Sequence, residues 1–319
     1  MDTIKKHLPA LYTSPFIRNA GSVPQIMFQV ILALMPAVIA AIYYFRWDAV
    51  RLICASILAA MISEWLMNKL RKRESTLPDA SAIITGLLLA LTLPPSFSTS
   101  GAVLGSIFAI TLGKHVFGGL GFNIFNPALF GRAFLQASFP VEITTFSPPA
   151  TIITDAVTTA TPLGLYKFEK IFTPYLDMLW GNTGGCIGET SSLLLLLGGL
   201  YLLIRKFADW RIPASIILGV VLFSGSLFLI NPDNYADPVF HLLSGGMMLG
   251  IFFMATDMVT SPVTPRGTWI FGLIIAFIVI IIRVFGGLAE GMMYAILLAN
   301  ALVPLLNRTT RPRIFGEMK

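Results

Sequence analysis

The chain has 319 residues, 55% of them hydrophobic and only 12% charged, with a formal net charge of +6. A soluble domain carries about 25% charged residues, so this composition excludes an ordinary soluble globular protein. The apolar blocks are continuous and do not alternate with period two, which excludes a transmembrane β-barrel.

In chain order, residues 1–23 are polar, contain Pro9 and Pro15, and read as a cytoplasmic N-terminal segment with no cleavable signal peptide. Residues 24–138 form a first membrane region. It has two clear spans, 25–45 and 49–70, and three short or broken ones. Span 80–93 stops at Pro94–Pro95, span 101–112 runs into "GKHVFGGLGFN", and span 125–138 opens on "NPALFGR". Residues 139–189 are a long polar interruption. Residues 190–307 form a second membrane region with spans 190–204, 212–230, 239–258, 269–284 and 291–306, and residues 308–319 are a basic cytoplasmic tail. A span needs about 20 apolar residues as helix, so the expectation is an all-α polytopic membrane protein with about ten crossings. Unwound backbone at membrane depth survives only where it is buried or lines a polar cavity, so the broken helices are candidate functional elements.

Basic clusters set the direction. Lys5, Lys6 and Arg18; Lys69, Arg71, Lys72 and Arg73; Arg205, Lys206 and Arg211; Arg266; and Arg308, Arg311, Arg313 and Lys319 all fall on one side if about ten crossings are drawn. Lys and Arg accumulate on cytoplasmic loops, so the net charge needs no nucleic-acid partner. Both termini are then cytoplasmic, and the segment 139–189 lies outside. Arg283 sits near an outer end and departs from this pattern.

A register shift of 168 positions lays "VFGGLG" (116–121) on "VFGGLA" (284–289). The same shift aligns Thr92 with Thr260, Pro94 with Pro262, Ile110 with Ile278, Leu129 with Leu297 and Ala133 with Ala301. It points to two repeats of about five crossings each, and an odd number inverts the second copy in the membrane. The helix breaks near Thr92 and Thr260 then lie toward opposite faces.

Charges inside a bilayer are costly and usually functional. Glu64, Lys114, His115, Arg132, Asp257, Arg283 and Glu290 qualify, although interfacial anchoring or structural pairing accounts for most such residues. Asp257 stands out beside Thr256, Thr260 and a proline break. Asn126 is placed to cap a helix with Pro127 at its first position, and that N-terminus, with Arg132 following it, is suited to an anion. Together with Thr92, these positions mark a second-ligand or ion pathway. The two cysteines, Cys54 and Cys186, and the three histidines form no metal-binding pattern.

The run "TDAVTTATPLG" (154–164) is a threonine-rich polar loop with an ordinary explanation. It is not a serine-type nucleophile site, because no histidine lies near Thr161 in sequence. Its spacing Asp155, Thr158, Ala160, Thr161 nevertheless matches Asp-x-x-Ser/Thr-x-Ala-Thr, the acceptor pattern for covalent flavinylation, with Thr159 standing where such motifs often have glycine.

In order along the chain follow "HVFGGLGFNIFNPALFGRAF", "DAVTTATPLG", "HLLSGGMMLGIFFMATDMVTSPVTPRG" and "ILLANALVPLLNRTTRPRIFG". Together they resemble the NqrB/RnfD family, and within it the flavin-bearing membrane subunits of the Rnf electron-transport complex. The resemblance implies FMN joined through its phosphate to Thr161 by a separate flavin transferase, with Asp155, Thr158 and Ala160 as the recognition motif. It also implies a second, non-covalent riboflavin in some members, partner subunits bearing flavins and iron–sulfur clusters, and electron relay between ferredoxin and NAD coupled to Na+ or H+ movement across a bacterial or archaeal cytoplasmic membrane. Two alternatives stay open on the residues alone: a subunit of a Na+-translocating quinone reductase, and a non-redox channel or transporter built on the repeat.

Overall fold

In lipid every backbone polar group needs an internal partner, and a helix supplies one for each residue. The computed structural model describes residues 22–149, 158–189 and 191–311, and these fold as helices without a strand; the one β contact is an isolated bridge between Phe146 and Thr159. Helix α1 (Val23–Leu70) starts where the Ser22 N–H donates to Gln25 Oε1 at 3.2 Å. It is broken at Arg46, whose φ of 50° is left-handed, so the two predicted spans 25–45 and 49–70 are the two arms of a kinked helix.

Helix α2 (Ser81–Leu91) ends at Thr92, just before the Pro94–Pro95 pair that cannot extend it. Helix α3 (Thr99–Ile110) widens into a π turn over Thr111–His115. Helix α4 (Pro127–Ser138) has Pro127 at its first position, and Asn126 Oδ1 accepts from Ala128 N at 3.1 Å and Leu129 N at 3.4 Å, as the sequence predicts. Then come α5 (Pro140–Thr144), α6 (Pro162–Gly164) with a π turn over Leu165–Glu169, and α7 (Tyr175–Trp180).

The second region contains α8 (Ser192–Ile204), α9 (Arg211–Ile230), α10 (Pro238–Leu243), α11 (Met247–Leu249) with a π turn over Gly250–Met254, α12 (Pro265–Phe285) and α13 (Met292–Thr309). One expectation is corrected here. The block 239–258, read as a single span, is two short helices parted at Ser244–Gly246. Gly245 and Gly246 have φ of 64° and 62°, a backbone that no continuous helix contains.

Among the described residues, four helices are long and apolar enough to cross a membrane: α1, α9, α12 and α13. α2, α3, α4 and α8 are shorter, at 11, 12, 12 and 13 residues. α1 packs on α2, α3 and α8, α3 on α4, and α12 on both α9 and α13. Small residues let backbones approach: a Cβ on Gly86 would meet Ser56 O of α1 at 2.7 Å, and one on Gly198 would meet Ala33 O at 2.2 Å. Tyr43, Trp47 and Trp180 are exposed, and the Tyr44 hydroxyl donates to Trp180 O at 2.7 Å.

Candidate functional site

Thr161 precedes Pro162, whose fixed φ starts a helix, and its side chain caps that helix: Oγ1 accepts from Gly164 N at 3.2 Å. The segment leading into it is pinned on two sides. Thr159 N donates to Phe146 O at 2.9 Å, and the backbone at Gly184 passes so close that an added Cβ would stand 2.2 Å from Thr159 Cγ2. Thr158, Thr159, Ala160 and Thr161 thereby form one wall of a cavity of about 640 Å³. Thr161 is 5% exposed, whereas Thr158 and Ala160 are exposed. Asp155, the first position of the motif, lies outside the described residues.

Across the cavity, α4 presents Arg132. Its side chain is 9% exposed, and it is the one cationic group among the described lining residues. Nη1 donates to Thr92 O, a carbonyl left without a helical partner by the break after α2, and lies 3.5 Å from Cys186 Sγ. Nη2 pairs with Glu290 Oε2 at 3.0 Å. Glu290 Oε1 is buried without a hydrogen-bond partner. Glu189 also lines the cavity, and its Oε2 accepts from Cys186 N at 3.3 Å. Burial first, and the neighbouring Glu290 carboxylate second, push the Glu189 carboxyl up to about 7. Gly246 leaves room for that side chain, since a Cβ there would sit 2.7 Å from Glu189 Oε1.

The structure therefore joins two sequence-predicted residues, Thr92 and Arg132, directly, and sets both in the cavity that Thr161 borders. Asn126 and Asp257 belong instead to a second cavity of about 90 Å³, which Ser81, Thr85 and Lys114 also line. Thr260 accompanies them, its hydroxyl donating to Asp257 Oδ2 at 3.0 Å. Asn126 Nδ2 donates to Met254 O at 3.2 Å.

Sequence reasoning gave no role to Glu189 or Cys186 and marked Glu290 only as one intramembrane charge. The fold gathers the three, with one ligand-type atom from each within 4.8 Å of the others. Cys186 and Glu189 lie three residues apart in one turn, but Glu290 comes from a distant segment, and no spacing rule connects it to them. The first cavity falls in the size range of small-molecule sites, about 300–1,000 Å³. Its lining combines a hydroxyl oxygen at a helix N-terminus and a buried guanidinium, both able to receive an anion, with the carboxylates of Glu169, Glu189 and Glu290. The second cavity is below that range and, in this shape, does not hold a ring system of flavin size.

The family model described as the NQR2, RnfD, RnfE family matches residues 10–316. Among curated proteins, the chain is 43% identical to a subunit of the proton-translocating ferredoxin:NAD(+) oxidoreductase complex of Clostridium ljungdahlii, covering 99% of this chain and 98% of that protein. It is 44% identical to a subunit of the Na(+)-translocating ferredoxin:NAD(+) oxidoreductase complex of Acetobacterium woodii (96% and 95%) and 38% identical to a subunit of the ion-translocating oxidoreductase complex of Yersinia enterocolitica (96% and 98%).

Proposed function

The chain belongs to the NQR2, RnfD, RnfE family, and we propose that it is the multi-pass membrane subunit of an ion-translocating ferredoxin:NAD oxidoreductase (Rnf) complex, carrying FMN esterified to Thr161. Near-complete coverage of relatives that are themselves subunits of such complexes supports this placement. The observation that carries the flavin reading is the cavity of about 640 Å³ that opens beside Thr161 Oγ1. Other Rnf subunits, flavin- and iron–sulfur-bearing, deliver and remove the electrons.

The attachment is a transfer. Thr161 Oγ1 bonds to the phosphorus on the flavin side of FAD, the pyrophosphate P–O bond breaks, AMP leaves, and the hydroxyl proton passes to a base of the flavin transferase. FMN supplies one- and two-electron chemistry that no side chain here possesses. The chain's own residues do the rest. Thr161 holds the tether where the N-terminus of the helix over 162–169 favours a phosphate. Phe146 and Gly184 fix the segment around it. Leu129, Ile143, Leu249 and Met293 line part of the cavity with apolar surface.

We also infer that the chain is two inverted copies of a five-helix unit, about ten crossings in all, with the Thr161 segment between them on the extracytoplasmic side. In support, the 168-residue shift carries α2, α3 and α4 onto the broken α11 segment, α12 and α13. It carries the two arms of α1 onto α8 and α9. The polar floor of the second cavity, with Asp257 and the Lys114–Glu64 pair, is the candidate ion pathway. Relatives named for H+ and for Na+ are 43% and 44% identical, so overall similarity does not select the ion.

The test is direct. Co-express the chain with its flavin transferase, denature it in detergent on a gel, and view it under ultraviolet light. A fluorescent band that disappears in Thr161→Ala is expected; a dark wild-type band beside active transferase overturns the reading.

A further inference from the structure

The same contact occurs once in each half of the chain, made by different chemistry. Arg132 Nη1 donates to Thr92 O at the end of α2. Under the 168-residue shift, position 132 falls on Asn300 and position 92 on Thr260. With the Asn300 amide assigned so that both of its polar atoms find partners, Nδ2 donates to Thr260 O at 3.1 Å and Oδ1 accepts from Asn126 N at 3.1 Å. Each side chain satisfies a carbonyl two residues before a proline: Thr92 O at the end of α2, and Thr260 O in the turn that separates the π turn over Gly250–Met254 from Pro262. A neutral amide is sufficient for that task in the second half. The first half uses a buried guanidinium, and burying a charge is far more costly than burying an amide.

The surplus charge has one destination. Thr92 O, Glu290 Oε2 and Cys186 Sγ fix the guanidinium in place, and the wall it occupies faces the cavity beside Thr161. It is the single cation among the described lining residues, which include Glu169, Glu189 and Glu290. Resting on the FMN reading above, we propose that Arg132 is the positioning residue that sets the redox potential of the flavin in this cavity, and that Glu290 is the counter-charge that moderates it. Each electron taken up adds one negative charge unless a proton follows. A fixed cation favours that charge without having to reorganise, and a carboxylate paired to the cation weakens the effect.

Two neutralisations at one ion pair should therefore move the potential in opposite directions. The experiment is spectroelectrochemical titration of the covalently bound flavin in the purified complex, comparing wild type, Arg132→Asn (the residue of the other half), Arg132→Lys and Glu290→Gln. The midpoint is expected to fall in Arg132→Asn, to return most of the way in Arg132→Lys, and to rise in Glu290→Gln. A potential unchanged in Glu290→Gln, or shifted the same way in it and in Arg132→Asn, overturns the proposal and leaves Arg132 as a carbonyl clamp. If Arg132→Asn does not accumulate, Arg132→Lys and Glu290→Gln decide alone: no rise in Glu290→Gln overturns it. A wild-type chain without the fluorescent band refutes the flavin reading itself, which keeps the two failures distinct.

Discussion

Lys114 Nζ lies 2.7 Å from Glu64 Oε1 and 2.8 Å from Oε2, with the two side chains only 2% and 0% exposed. The pair joins the π turn after α3 to the second arm of α1, and it is satisfied further: Ser81 Oγ is 2.6 Å from Nζ, and the Thr76 hydroxyl donates to Glu64 Oε1 at 2.5 Å. Lys114→Ala leaves the buried Glu64 carboxylate with the Thr76 hydroxyl in place of a cation and should cost about 3–5 kcal/mol. The double variant Lys114→Met/Glu64→Leu should recover most of that. Unfolding midpoints of the detergent-solubilised protein measure both. A double variant no more stable than Lys114→Ala would show that the pair does not act as a unit.

Gly184 decides how the Thr161 segment sits. A Cβ there would stand 2.2 Å from Thr159 Cγ2 and 3.3 Å from Ala160 O. Gly184→Ala should displace the segment, at a local cost of about 1–3 kcal/mol. Flavin fluorescence per chain should drop below wild type while the amount of folded protein is retained. Equal fluorescence would mean that the transferase tolerates the shift.

Asn126 serves two elements. Its Oδ1 caps α4, and its Nδ2 donates to Met254 O. Asn126→Ala should lower stability by about 1–2 kcal/mol. Asn126→Asp keeps the cap and loses the donor, so its melting temperature should fall between the two. An Asp variant no better than Ala would assign the whole effect to the Met254 contact.

Orientation can be read at Thr158, which is exposed on the cavity wall. Thr158→Cys in a Cys54→Ser background should react with a membrane-impermeant maleimide added to intact cells; the remaining cysteine, Cys186, is buried. Labelling confined to inverted vesicles would reverse the assigned direction.

The sequence by itself determined the all-helical, membrane-type chain, because 12% charge in separated clusters leaves apolar blocks that only helices can place in lipid. It also determined the Asn126 cap and the halting of α2 near Pro94, since capping and proline chemistry are local. Locality failed within the block 239–258, where hydropathy reads one span. There the left-handed backbone at Gly245 and Gly246 parts it into two helices, and Leu163 and Glu189, from elsewhere in the chain, occupy the space that a side chain at those positions would need. Only the tertiary structure could set Arg132 against Glu290 and Cys186, and Glu189 beside them. Arg132, Glu290 and the turn that carries Cys186 and Glu189 come from three separate segments and acquire a common environment through packing alone, and a buried charge has meaning only when its partners are known.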